Sequence, residues 1–440
     1  IILNYMKMSQ SNQIDQEVFR QIFIDHWSGF KERHRFYSSS QYEEVVQKML
    51  GCGTESGGYS EYQCMDCGLG LRRICFTCKS SFCLSCTKVY VDNFVSQVSK
   101  ILHPGVKYRH MVLTVPEQFW IYFYRDRFHG TLLSSLMRTG YECLEDVASH
   151  LRRHRLKIGS IVVVQTHGRS GHFNPHLHIL LTSGGIDESR GKWEDLNYFP
   201  HPLLRRKWQY HLFSMLKREL CSLETDRLID SLWKKYRKGL VVNVKRGRVP
   251  EKCRGLAKYL AKYLASPPIS VRRIVSYTGS EVTYWYNDHA SKSKKVETVD
   301  VYTFIGRMVQ HVFPKGFQRV RYYGLQATKT FSKWRDQILS SISRVKETLK
   351  GVYEIVEPFK YRERYQEGSG KDPFLCPYCG KEMVLSIIYH PKYGVIYDEL
   401  EEIKRGKYEP KEVPINDRGR GCTVRPSTED VQLSLFPLPV

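Results

Sequence analysis

The stretch that decides the fold runs from residue 161 to 183, IVVVQTHGRSGHFNPHLHILLTS. Two β-branched runs flank a polar segment rich in Gly and Ser, the pattern of a β-hairpin. Alternation along the second strand puts His176 and His178 on one face and sends Leu177 to the other, into a core. With the turn centred near Gly171, antiparallel pairing sets Gln165 opposite His176 and Val163 opposite His178. Two imidazoles and an amide oxygen make a borderline-to-hard site suited to Mg²⁺ or Mn²⁺ acting on a phosphate. His167 has the same strand parity and competes with Gln165 as third ligand. The competing structural reading is a pair of histidines on a solvated sheet face.

Composition sets the class of partner. The 440 residues carry 68 Lys+Arg against 45 Asp+Glu, a formal charge of +23, together with 29 Tyr. Such a balance points to a polyanion, above all nucleic acid. The length accommodates two or three domains with sizeable cores. No apolar run reaches the ~18 residues of a membrane span and no signal-peptide pattern is present, so a soluble, cytoplasmic protein with no membrane partner is expected. The 13 cysteines then read as metal ligands, not disulfides.

Seven of those cysteines fall between Cys52 and Cys86, including the C-x-x-C pairs Cys64/Cys67, Cys75/Cys78 and Cys83/Cys86. A C-x-x-C turn lets two thiolates reach one tetrahedral Zn²⁺. The spacing predicts Cys64, Cys67, Cys83 and Cys86 on one ion, and Cys52, Cys75 and Cys78 on a second with an unidentified fourth ligand. Four thiolates leave no open position, so this zinc is structural. Arg72, Arg73 and Lys79 would suit a DNA-binding accessory role, with a pure scaffold as the alternative. Further on, Cys376 and Cys379 form half of a zinc ribbon whose other ligands could be His390 or Cys422. Cys143, Cys221 and Cys253 are isolated and read as buried thiols.

Around these markers the chain alternates strands and helices. Residues 14–50 predict two helices broken around Tyr37. Residues 106–116 predict a strand, 118–157 largely helix, 184–200 a loop, 203–237 one or two amphipathic helices and 239–247 another strand. IVSYTGSEVTYWYND predicts a hairpin turning at Thr278-Gly279-Ser280, and 330–350 a further helix. The fold class expected is α+β, a central antiparallel sheet flanked by helices and preceded by a Cys-rich zinc domain.

A second constellation, CRGLAKYLAKYLASPP at 253–268, is helical in composition and stopped by Pro267 and Pro268. Tyr259 and Tyr263 are spaced to share one face, and Lys258 and Lys262 the adjacent one. Taken alone, a Tyr-x3-Tyr pair is more often an aromatic packing stripe. Beside a His-x-His strand in a basic chain it suggests phosphodiester transesterification. A tyrosine hydroxyl attacks a DNA phosphorus, leaving a 5′-phosphotyrosine and a free 3′-OH. A metal on the histidines would polarise that phosphate and stabilise the leaving oxygen. Two nucleophiles one turn apart permit a cut followed by transfer.

The His176-Leu177-His178 triplet followed by Tyr-x3-Tyr resembles the HUH nucleases. More narrowly, the chain resembles the rolling-circle transposases of insertion-sequence family ninety-one, relatives of the Helitron transposases. The likeness extends from about residue 15 to 330. It takes in the Cys-rich block, HMVLTVP, QTHGRSGHFNPHLHILLTSGG, YLAKYLASPPIS and FIGRMVQHVFPKGFQRVRYYG. It implies that His176 and His178 bind metal, with Gln165 as third ligand. Family members often carry an aromatic residue at the position of His167, which weakens His167 as the competitor. It further implies that Tyr259 and Tyr263 are nucleophiles, and that the substrate is single-stranded DNA at element ends in a bacterial, nucleoid-associated setting. With no G-x-x-x-x-G-K-[ST] loop, unwinding is left to a host helicase. The alternatives are a plasmid replication initiator or relaxase with the same chemistry, and a non-catalytic zinc-containing DNA-binding regulator.

In HVFPKGFQRVRYYG, Lys315, Arg319 and Arg321 interleave with Phe317, Tyr322 and Tyr323, a pattern that suits single-stranded DNA by charge neutralisation and base stacking. The alternative there is a core strand with solvated arginines. After about residue 410 the composition turns to Pro, Gly and Arg, as in disordered tails. There Gln432, Leu433, Ser434, Leu435 and Phe436 resemble the sliding-clamp-binding consensus, an extended peptide that would seat Leu435 and Phe436 in an apolar pocket. The organisation expected is therefore a zinc-binding domain at 1–95, a nuclease domain at 96–330, a helix with the C-x-x-C module at 331–410, and a tail at 411–440.

Overall fold

The computed structural model describes residues 2–103, 105–244, 253–264, 268–288, 291–341 and 360–406, with side chains from Val18 onward and not those of residues 253–254, 260 and 262–264. The chain opens with helices α1 (Ile2–Arg33) and α2 (Ser40–Leu50), separated by a short 3-10 turn at Arg35–Ser38. Strands β1 (Tyr59–Gln63) and β2 (Leu71–Cys75) follow, then α3 (Thr87–Ser99) and β3 (Tyr108–Thr114). Next come α4 (Trp120–Arg125), α5 (Thr131–Arg152), β4 (Leu156–His167), β5 (Phe173–Asp187) and β6 (Trp193–Asp195). They are followed by α6 (His201–Leu220), α7 (Leu223–Lys235), β7 (Val242–Val244) and α8 (Cys253–Leu264). The remaining labelled elements are β8 (Ile274–Tyr277), β9 (Glu281–Asn287), β10 (Lys294–Asp300), α9 (Val301–Val309), β11 (Val320–Gly324), α10 (Phe331–Ser341), β12 (Val384–His390) and β13 (Gly394–Asp398).

The architecture is mixed helix and antiparallel sheet. The main sheet has the order β11-β4-β5-β3-β7, with β6 added to the far end of β5. Strand parity assigns each side chain to one of two layers. Met111, Leu113, Val162, Val164, Leu177, Ile179 and Leu181 point into a core shared with α5 and α6. Tyr108, Ile161, Val163 and Leu180 point the other way, into a second core with α3 and α8. Both faces are covered, so β4 and β5 read as near-continuous apolar runs without clean alternation. Close approach is needed on the first face: a Cβ on Gly140 of α5 would lie 2.5 Å from Leu177 Cδ1. On the second face α8 turns Ala257 and Ala261, both fully buried, toward the sheet. Small side chains there let the helix lie close to β4.

Two further sheets frame this unit. The order β10-β9-β8 packs through Val282 and Tyr284 onto Phe19, Phe23 and Phe30 of α1 and Phe304 and Ile305 of α9. The order β13-β12-β1-β2 joins chain segments more than 300 residues apart, with Tyr59 opposite Tyr389 and Gln63 opposite Val384. The C-x-x-C segment at 376–379 thus folds against the N-terminal hairpin.

Several element bounds differ from expectation. The segment 184–200 is not all loop: β5 runs on to Asp187 and pairs with β6, Gly185 opposite Glu194. β4 starts at Leu156, inside the stretch expected as helix. The hairpin at 274–287 turns where the sequence indicates, with Thr278 N–H donating to the Glu281 carbonyl at 3.1 Å. β10, which completes its sheet, is a strand that local pattern does not announce. The expected helix at 330–350 begins at Phe331, and its continuation past Ser341 lies outside the described residues.

Candidate functional site

The β4–β5 hairpin pairs Gln165 with His176 and Val163 with His178. Parity therefore turns Gln165, His176 and His178 to the α8 face. Their polar atoms converge: Gln165 Oε1 lies 3.1 Å from His176 Nε2 and 3.0 Å from His178 Nε2, and the two Nε2 atoms are 3.1 Å apart. Neighbouring ligands on an octahedral ion with ~2.1 Å bonds stand about 3.0 Å apart, so the three atoms fit one face of such an ion. The His176 Nδ1–H donates to the Asn174 carbonyl at 2.7 Å, which leaves the Nε2 lone pair facing the cluster. Burial pulls the His176 imidazole below the ordinary histidine value, with the Asn174 carbonyl acting the other way. A neutral imidazole is the form that ligates.

His167 does not join the triad. A β-bulge between Gln165 and His167 shifts the register and leaves His167 opposite Phe173. Its Nε2 sits 3.2 Å from the Gln165 amide nitrogen. In that contact the amide donates, turning Oε1 toward the imidazoles.

Sequence reasoning missed His110 on β3. His110 Nε2 is 3.0 Å from His178 Nδ1, and His110 Nδ1 is 3.0 Å from the Tyr259 hydroxyl. Only 1 % of His110 is exposed. The alternation of Met111, Leu113 and Val115 toward the core was readable in HMVLTVP, and it turns His110 to the opposite face. That face could be matched to the histidines only with the β3–β5 register, Val112 opposite His178, which no local pattern fixes.

Tyr259 is half-buried on α8 and Lys258 is exposed; Tyr263 and Lys262 belong to the same helix, and their side chains lie outside those described. In the basic-aromatic tract, Lys315 is exposed and pairs with Glu44 at 3.4 Å. Arg321 Nη2 donates to Ser134 Oγ at 2.7 Å, and burial pushes the Tyr322 phenol up to about 12. Gln432, Leu433, Leu435 and Phe436 lie outside the described residues.

The cysteines regroup. Sulfurs of Cys52, Cys78, Cys83 and Cys86 come together at one end of the β1–β2 hairpin, with Cys52 and Cys78 Sγ each about 3.4–3.5 Å from Cys86 Sγ. Cys64, Cys67, Cys376 and Cys379 come together at the other end, Cys64 3.4 Å from Cys379 and Cys67 3.6 Å from Cys376. A tetrahedral ion with ~2.3 Å Zn–S bonds has S···S edges of roughly 3.8 Å, so both quartets fit structural Zn²⁺. The expected pairing is corrected for a simple reason. Cys64 and Cys67 bracket the turn of the hairpin while Cys52 and Cys78 lie beyond its open end, and a strand of this length separates them by roughly 15 Å. Cys75, at the end of β2, belongs to neither quartet, and burial raises its thiol. His390 Nδ1 instead accepts from the Lys392 N–H at 3.1 Å, and Cys422 lies outside the described residues. Cys143 is buried as expected, whereas Cys221 is exposed at the end of α6, and the side chain of Cys253 lies outside those described.

Comparison with known proteins decides the family. Residues 159–333 match a family described as putative transposase, and residues 22–115 match a transposase zinc-binding domain. The chain is 30% identical over 353 residues to the transposase for insertion sequence element IS801 of Pseudomonas savastanoi pv. phaseolicola, covering 78% of this chain and 82% of that protein. The chain belongs to the IS91 family of insertion-sequence transposases. This transposase is also 25% identical over 389 residues to the putative transposase y4qJ of Sinorhizobium fredii (strain NBRC 101917 / NGR234), covering 83% of this chain and 94% of the relative. No solved structure matches it. The first matched segment holds the Gln165, His176 and His178 triad with Tyr259, and the second holds the first cysteine quartet, so both centres lie within what the transposase shares with its family. Among the described residues no helix is long and apolar enough to cross a membrane.

Proposed function

We propose that this transposase nicks and joins single-stranded DNA by metal-assisted tyrosine transesterification through a 5′-phosphotyrosine. The observation that carries the reading is the chain of contacts from Tyr259 through His110 to His178, ending in the Gln165/His176/His178 triad. Bound at that triad, Mg²⁺ or Mn²⁺ would act as a Lewis acid on the scissile phosphate.

The chain's own residues supply the rest. With its Nε2 lone pair committed to the triad, His178 carries its proton on Nδ1 and donates to His110 Nε2. His110 then carries its proton on Nδ1 and donates to the Tyr259 oxygen. That donation stabilises the phenolate over the phenol and fixes its direction. The Tyr259 oxygen forms a bond to phosphorus as the bond to the 3′ oxygen breaks. The phenolic proton leaves to water, and water protonates the departing 3′ oxygen. Tyr263 serves as the second nucleophile, for the joining cut. The polyanionic substrate follows from the +23 charge, and its single-stranded form from the resemblance to the HUH nucleases. Host helicase for unwinding and sliding clamp for the 432–436 peptide complete the proposed partners.

The test is cleavage of end-labelled single strands from the two element ends. A covalent protein–DNA adduct formed with Mg²⁺ or Mn²⁺ and abolished by EDTA supports the reading. Strand binding without any adduct overturns it in favour of a regulator.

A further inference from the structure

A cavity of about 440 Å³ lies between the zinc-binding region, α3 and the tract leading into β11. Its size falls within the ~300–1,000 Å³ usual for small-molecule pockets. Arg319 lines it, and this arginine is chemically unsettled. Its Nε is buried with no hydrogen-bond partner, and among the described residues no carboxylate pairs with it. Its guanidinium carbon lies 4.8 Å from the centroid of the Phe313 ring. Arg319 is half-buried, and desolvation with no anion beside it draws the proton affinity of its guanidinium down, a cost that a bound anion would offset. Among the described residues no Asp or Glu lines the cavity, and aromatic rings form much of its wall: Phe82 from the zinc-binding region, Tyr90 and Phe94 from α3, and Phe317 and Tyr322 beside Arg319.

The position of the cavity connects it to the triad. His167 lines it and holds the amide of Gln165, whose Oε1 belongs to the metal cluster. The two sites share a wall one side chain thick.

We infer that this cavity receives one nucleotide of the single-stranded substrate next to the cut site, its phosphate on Arg319 and its base against the aromatic walls. The inference rests on the transesterase reading for its substrate class. A guanidinium supplies the bidentate donor geometry that a phosphate accepts, and aromatic faces stack any base. An apolar peptide of the chain itself would fill the same volume yet leave Arg319 unpaired. The zinc-binding region thereby takes a direct part in holding the strand, since Ser80, Ser81 and Phe82, just before Cys83, close one side of the pocket.

The experiment measures fluorescence anisotropy of labelled single-stranded element-end oligonucleotides on the full chain carrying Tyr259→Phe and Tyr263→Phe, so that no cutting intervenes. Arg319→Met should weaken binding roughly tenfold and lower the salt slope by about 0.7, the loss of one phosphate contact on a single strand. Arg319→Lys should restore most of the slope. Ser81→Trp fills the pocket from the zinc side, leaves Arg319 intact and should weaken binding comparably; it decides the matter if Arg319→Met fails to fold, as read by melting temperature and zinc content. A one-position abasic scan should show a single sensitive nucleotide beside the cut, and that sensitivity should vanish in Ser81→Trp. Unchanged affinity and slope in both variants, or a flat scan, overturn the pocket. Adduct formation by the unmutated chain is read separately. An adduct with a flat scan sinks the pocket alone, whereas Arg319-dependent binding without an adduct sinks the chemistry alone.

Discussion

The Tyr259 hydroxyl stands 3.0 Å from His110 Nδ1, and the same imidazole touches His178 through its other nitrogen at 3.0 Å. One buried ring thus joins a tyrosine on α8 to the Gln165/His176/His178 triad on β4 and β5, and the joint sits on a third strand, β3. In the proposed chemistry, any shift of α8 that breaks this contact would uncouple Tyr259 from the triad.

Replacing His110 tests that joint. His110→Phe keeps the ring volume and removes both hydrogen bonds. Adduct formation in single turnover should fall about 10–100-fold, the usual cost of losing a partner that orients a metal ligand, with strand affinity unchanged. The lost donation should also move the rise of rate with pH to higher values, so that activity partly returns under alkaline conditions. A general packing defect would lower the rate equally at every pH.

The third ligand can be settled by contrast. Gln165→Ala removes one of the three converging atoms and should weaken Mn²⁺ binding more than tenfold by calorimetry. His167→Ala only frees the Gln165 amide and should cost less. The reverse ranking would transfer the ligand role to His167.

Much of this site was legible in the sequence. The turn near Gly171 and strict alternation suffice to place Gln165 opposite His176, because a hairpin fixes its own register. Contacts between distant segments were not legible. His110 needed the β3–β5 register, and the cysteine quartets needed the pairing of β1 with β12. Equal C-x-x-C spacings look interchangeable along the chain, whereas the hairpin carries them to opposite ends. The apolar runs of β4 and β5 hid the two-layer packing for a related reason, since strands covered on both faces lose the alternation that betrays a single core.

Zinc content follows from that geometry. The chain should bind two Zn²⁺ by elemental analysis. Cys75→Ser should retain both, while Cys376→Ser should lose one despite its distance in sequence from the N-terminal domain. Gly70→Ala should also disturb the second ion, because its Cβ would lie 2.6 Å from Cys376 Sγ and 3.0 Å from Cys64 Cβ. Loss of one ion in Cys75→Ser, with both retained in Cys376→Ser, would restore the pairing that spacing alone suggests.

Acid should destabilise the fold through two buried imidazoles. Burial holds His103 and His311 at about 4, where His103 bonds the Leu325 carbonyl and His311 the Gly171 carbonyl. Both values are depressed relative to the unfolded chain, at about 6.5. The unfolded state therefore binds more protons between those values, and stability falls as pH drops from about 6.5 toward 4. At about 1.4 kcal/mol per tenfold change in protonation, each imidazole accounts for on the order of 3 kcal/mol. Melting temperatures across that range should fall steeply, and His311→Gln should flatten the profile. A flat profile in the unmutated chain would show that the two rings are accessible to solvent.

The most direct measurement is to trap the covalent adduct on a single-stranded element end with Mg²⁺ and map the modified peptide by mass spectrometry. The expected result is a nucleotide on Tyr259 in the first cut, lost in Tyr259→Phe and slowed in His110→Phe, with all adducts gone in Tyr259→Phe/Tyr263→Phe. An adduct on a residue outside α8, or one that persists in the double variant, would contradict it.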